Sequence, residues 1–428
     1  MKFQSHLKTR LLLGVLFLGS WIQSRAQFKL SAEIRPRTEF RIGFKTPSSE
    51  GFEPAVFTEQ RSRIYFEYTQ LKYKMKLALQ DVRYWGEIPQ IFKADVGNSF
   101  LSEAWGELNL SDKVSLKAGR QIISYDNQRY LGGLEWAQQG RRHDALLLKV
   151  EDPTVKSKLH FGFAFNTDND IAEPGFLQRN GANYYSTPGS YKSMQYAWFN
   201  KGIEGGSISL LALNLGLQNA DTTVSNKQTF GFIGSKKMGK VTLATDIYYQ
   251  TGKIGQNEVG ALLAGVNATF KTNATPITIG YEYISGKDDM DGTSKITNFN
   301  PDFGTNHAFN GLMDYFFVGP ANGNVGVQDI YFKTKFKLGK GALSIHGHEF
   351  LTGSQQVFES GETISAAMGT EIDLVYAQKI GKDVSFNLGF SQMFGTETLT
   401  TLRPGNKTSN NWAWMMITFK PTLFSSDK

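Results

Sequence analysis

Apolar and polar residues alternate with a period of two along much of this chain. In residues 28–41 one parity is mainly apolar and the other is mainly charged, and residues 71–77 and 329–338 repeat the pattern. A β-strand sends successive side chains to opposite faces, so each stretch predicts a strand with one apolar and one charged face. The charged set of the first stretch comprises Lys29, Glu33, Arg35, Arg37, Glu39 and Arg41.

The same pattern predicts about eighteen strands, and no long helical pattern interrupts them. They are expected near residues 28–41, 54–69, 70–85, 99–110, 112–123, 140–151, 155–167, 190–201, 204–218, 227–238, 239–252, 258–271, 274–287, 325–338, 340–353, 365–381, 382–396 and 409–422.

The connections between these strands also alternate, between short turns and long loops. The long set comprises 42–53, 86–98, 124–139, 168–189, 288–324, 354–364 and 397–408. Short periplasmic turns and long extracellular loops are typical of an outer-membrane barrel, and an even strand count places both termini in the periplasm. The sequence thus predicts an all-β protein, a transmembrane antiparallel up-and-down β-barrel of about 18 strands.

The strands of a soluble barrel or sandwich show the same alternation of apolar and polar residues, so a soluble fold is the alternative to a transmembrane barrel. It would hide the apolar parity and expose the charges, and small soluble barrels have fewer strands. Eighteen strands enclose a lumen too wide for side chains to fill, so we expect the charged parity to face water inside and the apolar parity to face lipid. Trp412, Trp414 and Phe419 on the last strand fit an interfacial aromatic girdle.

The amino-acid composition excludes several other classes of protein and of functional site. The mean hydropathy of −0.32 excludes a helical membrane bundle. The chain of 428 residues contains no Cys, which excludes disulfide scaffolds, thiolate metal sites and a Cys nucleophile.

Residues 1–26 have the features of a signal peptide, and residues 27–428 then form a single outer-membrane barrel domain. A basic start precedes the apolar stretch 11–22, and Ser24 and Ala26 are small residues at the positions a signal peptidase checks. Export through a cleaved signal to the bacterial outer membrane is the expected localisation. Removing four basic residues leaves 42 Lys and Arg against 39 Asp and Glu, so the charge gives no evidence for nucleic-acid binding.

Arginine is concentrated in the first third of the mature chain, where ten of its twelve Arg precede residue 143. Arg35, Arg37, Arg61 and Arg63 lie on the charged parity of two adjacent predicted strands, interleaved with Glu33, Glu39 and Glu59. Guanidinium stays protonated and binds carboxylates bidentately, which favours an anion-selective constriction. An internal Arg–Glu ladder that braces the wall is equally compatible.

Residues 119–145, GRQIISYDNQRYLGGLEWAQQGRRHDA, resemble the signature of the alginate-export family of outer-membrane barrels. The matching positions include Gly119-Arg120-Gln121, Tyr125, Gln128-Arg129, Gly132, Trp136, Gly140-Arg141 and Asp144. Asp126-Asn127 and His143 depart from the pattern. The resemblance implies an eighteen-stranded channel for an anionic uronate polysaccharide, in which loop 124–139 folds toward the lumen. Its implied pore-lining residues are Arg35, Arg37, Glu39, Arg61, Arg63, Arg120, Arg129, Arg141 and Asp144.

Enzyme and cofactor interpretations are weaker. His346-x-His348 places two imidazoles on one strand face, which suits a metal or a base, but lumen-facing polar residues are the better interpretation. The acidic clusters 288–292 and 168–170 offer oxygen ligands for Ca²⁺ without the full spacing of a calcium loop, so solvated turns are favoured. We therefore expect no enzyme activity and no cofactor.

The leading hypothesis is a passive outer-membrane channel for anionic saccharides or alginate-type polysaccharide. Its alternatives are a general diffusion porin of low selectivity, and a surface adhesin or receptor using the aromatic-rich loop 288–324. The expected partners are the outer-membrane bilayer and an anionic sugar. The oligomeric state stays open, with a monomer favoured.

Overall fold

The computed structural model describes residues 26–86, 99–166, 191–219, 223–316, 325–358 and 360–426. The predicted signal peptide lies outside these residues except for Ala26. Among the described residues, no helix is long and apolar enough to cross a membrane.

The described residues form nineteen β-strands, one short α-helix, α1 (Glu397–Leu402), and one turn of 3-10 helix (Asn306–Ala308). All eighteen predicted strands are present, and the last of them continues past Pro421 as a separate short strand. The strands are β1 (Gln27–Ile42), β2 (Ala55–Thr69), β3 (Tyr73–Tyr84), β4 (Ser99–Asn109), β5 (Val114–Gln121), β6 (His143–Asp152), β7 (Ser157–Phe165), β8 (Tyr191–Ile203), β9 (Gly206–Gln218), β10 (Val224–Met238), β11 (Val241–Ile254), β12 (Asn257–Lys271), β13 (Pro276–Ile284), β14 (Val327–Leu338), β15 (Gly341–Leu351), β16 (Ala367–Lys379), β17 (Val384–Gly395), β18 (Ser409–Phe419) and β19 (Thr422–Ser425).

From β1 to β18, every strand pairs antiparallel with its sequence neighbour, and β1 closes the sheet by pairing with β18 and β19. β1 pairs with β2 on one edge and with β18 and β19 on the other. β18 and β19 together therefore occupy the position of the eighteenth strand of the barrel. Proline has no N–H to donate to a ladder, which accounts for the break between them. Closure leaves no free sheet edge, and the predicted eighteen-stranded antiparallel barrel is confirmed.

The two parities face opposite sides of the wall, as the alternation predicts. Ile34, Phe163, Phe230 and Ile279 project outward with roughly half of each side chain exposed. The charged parity of β1 projects inward, where Arg37 is 3 % and Glu39 1 % exposed. A barrel with an apolar exterior and a charged interior matches a lipid environment and contradicts a soluble sandwich.

The expected girdle role of Trp412 and Trp414 is wrong. Both indoles are buried on the inner face, at 0 % and 5 % exposure. Trp412 shares the parity of the inward residue Ser391, its register partner on β17. Phe419 and Phe424 are exposed.

Long connections gather at one end of the barrel, and two of them fold inward. Segments 122–142 and 285–316, here called inner loop 1 and inner loop 2, pack against each other and against the wall. Tyr130 of inner loop 1 and Phe299, Tyr315 and Phe316 of inner loop 2 are each about 1 % exposed. The inner face at this level is therefore lined by residues of the two inner loops, which narrow the interior of the barrel.

Candidate functional site

The candidate site is the basic wall, which we define as Arg35 and Arg37 on β1 with Arg61 and Arg63 on β2. Alternate positions on each strand share the inner face, and the antiparallel register places Arg35 opposite Arg61. All four side chains are at most 7 % exposed. The structure therefore brings together the four arginines that the sequence predicted to form one patch on the inner face.

Carboxylates of the same two strands brace these guanidiniums. Arg37 donates from Nε to Glu39 Oε1 at 2.8 Å and also bonds Glu59, and Arg61 bonds Glu33. The indole N–H of Trp412 donates to the other oxygen of Glu39 at 2.8 Å. Charged groups this deeply buried require such partners, so the bracing ladder foreseen as the alternative is present.

Glu135 of inner loop 1 binds the basic wall from the opposite side. Its carboxylate lies 2.7 Å from Arg63, 3.1 Å from Arg61 and 2.7 Å from Arg142. Burial acts to raise the pKa of Glu135, but the charges of these three arginines outweigh it and lower that pKa to about 2. The alternation gives no signal for Glu135, because it lies in a loop.

Arg35 is held by oxygens of neutral groups. It donates to the backbone carbonyl of Glu135 and to the side-chain amide oxygen of Gln138, each at 2.8 Å. Around the basic wall, six guanidiniums meet four carboxylates, an excess of two positive charges, and Lys420 adds an ammonium 3.5 Å from Glu33. The guanidiniums are those of Arg35, Arg37, Arg41, Arg61, Arg63 and Arg142, and the carboxylates are those of Glu33, Glu39, Glu59 and Glu135.

Trp136 is the aromatic centre of the site. Its ring lies 4.0 Å from the guanidinium carbon of Arg37 and stacks on His307 of inner loop 2 at 4.4 Å. It also meets Trp414 edge to face at 4.9 Å. Trp136 thus joins the basic wall to both inner loops, a role that only the three-dimensional structure reveals.

Arg129 and Arg141 also lie on inner loop 1, but neither joins the basic wall. Arg129, 1 % exposed, bonds both oxygens of Glu282 on β13 at 2.7 and 2.9 Å and also bonds Asn310 at 3.0 Å. Arg141 donates to the carbonyl of Gly304 at 2.9 Å. Both residues bind inner loop 1 to inner loop 2. Arg129 also binds inner loop 1 to β13 of the barrel wall.

Arg120 and Asp144 require a correction, because they lie on the outer face. They bond each other at 2.8 and 2.9 Å across β5 and β6, with about half of each side chain exposed. Arg120 shares the parity of the outward residue Ala118, while its neighbour Gln121 is fully buried. The resemblance therefore misassigned this pair to the pore.

Lysines continue the positive charge from the basic wall toward the short turns. Lys74 and Lys149 line a cavity of about 480 Å³ with Glu107, which accepts from Lys149 at 2.6 Å. Lys76 pairs with Glu103 at 2.9 Å, and Lys117 lies 3.9 Å over the ring of Trp105. The inner face of β1 to β6 therefore carries cationic groups along much of its length.

The remaining sequence candidates have structural roles where they are described. Asp288 and Asp289 accept from the backbone amides of Gln355 and Val357 at 2.6 and 3.0 Å, which ties two loops together. Cluster 168–170 and Phe317 lie outside the described residues. The described aromatics of inner loop 2 pack into the barrel interior, which removes them from the surface that an adhesin needs.

A protein-family model described as alginate export matches residues 26–322. No curated protein matches the chain. Solved structures of Pseudomonas aeruginosa channels are similar in fold. OccD3 (OpdP) is 13% identical with a TM-score of 0.58, covering 93% of this chain and 92% of its own. OccK2 (OpdF) in complex with glucuronate is 11% identical with a TM-score of 0.60, covering 93% and 97%. OpdK with vanillate is 10% identical with a TM-score of 0.58, covering 93% and 99%.

Proposed function

The chain belongs to the alginate-export family and has the fold of outer-membrane channels, and we propose that its basic wall passes anionic saccharides of the uronate type. Family and fold are those of transport proteins. Cleavage of residues 1–26 during export remains part of this proposal.

One observation carries the proposal: the excess of guanidinium over carboxylate around the basic wall, on the inner face of β1 and β2 and in inner loop 1. This excess of positive charge in a partly dehydrated interior favours the entry of a carboxylate-bearing solute. The lysines around Lys74 and Lys117 extend the same field toward the short turns. A solute that moves along these cationic groups must bind each of them weakly, so that it can leave one group for the next.

The Glu135 contact suggests how a uronate is recognised without being trapped. Glu135 presents a carboxylate to Arg61 and Arg63, and a uronate presents the same group. Exchange of one carboxylate for the other keeps both guanidiniums paired, so the net binding energy stays small. The glucuronate in the OccK2 structure is a carboxylate sugar bound in a barrel of similar fold.

The test is the ionic current through the purified protein in a planar bilayer, with oligouronates compared with neutral maltooligosaccharides of equal length. The proposal predicts concentration-dependent current block by the oligouronate alone. The double variant Lys74→Glu and Lys117→Glu should weaken that block, whereas Arg120→Gln on the outer face should not. Equal block by both sugars would indicate the general diffusion porin instead.

A further inference from the structure

Two histidines and an aspartate converge on the inner face of β15 and β16, away from the basic wall. His346 and His348 share one face of β15, and the register places Asp373 of β16 directly opposite His346. Their ligand atoms all lie within 4.8 Å of one another. His348 is 2 % and Asp373 0 % exposed, so the cluster is part of the interior.

Hydrogen bonds fix the orientation of His348. Its Nδ1 lies 2.9 and 3.0 Å from the two carboxylate oxygens of Asp329 on β14. An ionised carboxylate only accepts, so Nδ1 carries a proton, and Nε2 is the nitrogen left available to a metal ion. A carboxylate that orients a histidine in this way is the usual support behind a metal-binding imidazole.

Asp373 has one oxygen occupied and one free. Ser391 Oγ donates to Oδ1 at 2.5 Å. Oδ2 is buried without a hydrogen-bond partner among the described residues, and it lies 3.9 Å from Nε2 of His348. A buried carboxylate oxygen that faces an imidazole nitrogen at this distance without a direct hydrogen bond is a position that a cation would satisfy.

The surrounding charges point the same way. Asp329, Glu371 and Asp373 are three buried carboxylates, and Lys333, which faces His346 across the β14–β15 ladder, is the ammonium beside them. Even with one proton shared between Glu371 and Asp373, these four groups carry a net negative charge, which favours a bound cation. Two imidazoles and one carboxylate form a donor set that suits Zn²⁺ and related transition metals, whereas Ca²⁺ prefers oxygen.

We propose that His346, His348 and Asp373 bind one divalent transition-metal ion of the Zn²⁺ or Co²⁺ type. Ligand atoms of a tetrahedral ion lie about 3.4 Å apart, so small side-chain rotations close the present spacing. The ion would join β15 to β16. Glu371, on the same face, accepts from the backbone N–H of Met313 in inner loop 2 at 2.8 Å, so the site lies beside the inner loop. This inference does not depend on which solute the barrel passes.

The test uses the full-length folded barrel without a polyhistidine tag, stripped with a chelator and titrated with Co²⁺. The expected result is one Co²⁺ per chain with visible ligand-field absorption, displaced by Zn²⁺. His346→Ala and His348→Gln should each lower the affinity at least tenfold, while His160→Gln, outside the cluster, should leave it unchanged. Asp329→Asn keeps all three ligands and should lower the affinity by about 10- to 100-fold through the lost orientation of His348.

Folding of each variant is checked by its heat-dependent shift in gel mobility, so a misfolded variant is set aside in favour of Asp329→Asn. Absence of ligand-field absorption in the wild-type barrel would overturn the proposal. Equal Co²⁺ uptake by the wild type and a folded His346→Ala, His348→Gln double variant would also overturn it. Either result would leave a proton shared between Glu371 and Asp373 as the occupant of the free oxygen.

Discussion

The carboxylate of Glu135 on inner loop 1 lies 2.7 Å from the guanidinium of Arg63 on β2. This contact joins a loop to the wall that it covers. Arg61 of β2 adds a second contact to Glu135, and Arg142 pairs with Glu135 within inner loop 1. The position of inner loop 1 over the basic wall is therefore set largely by electrostatic contacts. Charges at this junction should control both the stability of the loop and access to the wall.

Replacing Glu135 by Gln should loosen inner loop 1. The change leaves Arg61 and Arg63 buried with weaker partners, which we expect to lower the free energy of unfolding by about 1–3 kcal/mol. Single-channel conductance should rise because the loop moves away from the wall. Urea unfolding followed by tryptophan fluorescence and bilayer recording measure the two effects. Glu53→Gln, at an exposed position, is the matched control, and equal behaviour of the two variants would count against this role of Glu135.

The low pKa of Glu135 predicts a specific acid response. Three arginines lower that pKa to about 2, below its ordinary value of 4.5. A group whose pKa is lowered in the folded state stabilises that state above its ordinary pKa and loses its contribution as pH falls toward the folded value. The Glu135 contact should therefore hold from neutral pH to about 4.5 and weaken between 4.5 and 2, where conductance should rise. In Glu135→Gln this step should be missing, and a step of the same size in the variant would refute the assignment.

Arg129 and Glu282 form a buried pair that should show strong coupling. Arg129→Met leaves the carboxylate of Glu282 buried beside Asn310 without its cation, at a cost of about 3–5 kcal/mol. The double variant Arg129→Met, Glu282→Met removes both charges and should recover much of that loss. Urea unfolding of the wild type, both single variants and the double variant measures the coupling. Additive losses would show that the pair does not hold inner loop 1 to β13.

A charged substitution on the outer face of the barrel should destabilise the folded protein. Ile279 is 53 % exposed on the apolar exterior of β13, so Ile279→Arg should cost about 2–4 kcal/mol if the position lies near the bilayer midplane. Thr242→Arg lies on the inner parity of β11 and should be tolerated better. Folding yield into lipid vesicles compares the two variants. Equal yields would contradict the assignment of faces.

The strands were predictable from sequence because alternate side chains of each strand face lipid or the barrel interior. Apolar and polar residues therefore alternate with a period of two. Arg35, Arg37, Arg61 and Arg63 could be placed on one face for the same reason. The same parity groups Arg120 with Leu116 and Ala118 on the outward face, so the alternation was the better guide for that residue than the family motif.

The inner loops could not be predicted in the same way. Loop residues such as Glu135 and Trp136 obey no period, and their positions depend on contacts with β1, β2 and inner loop 2. The third member of the histidine cluster, Asp373, also depends on strand register, which fixes its place opposite His346. A one-residue change of register would send this side chain to the other face.

The most direct test of the proposed anion preference is the reversal potential of the wild-type channel in a tenfold KCl gradient. We expect a potential of the sign set by chloride, because the interior basic wall carries excess positive charge. Replacing Arg35 by Glu together with Lys74→Glu and Lys117→Glu should shift this potential toward the potassium value, while Arg120→Gln should leave it unchanged. A cation-selective wild-type channel would contradict the proposed anion preference.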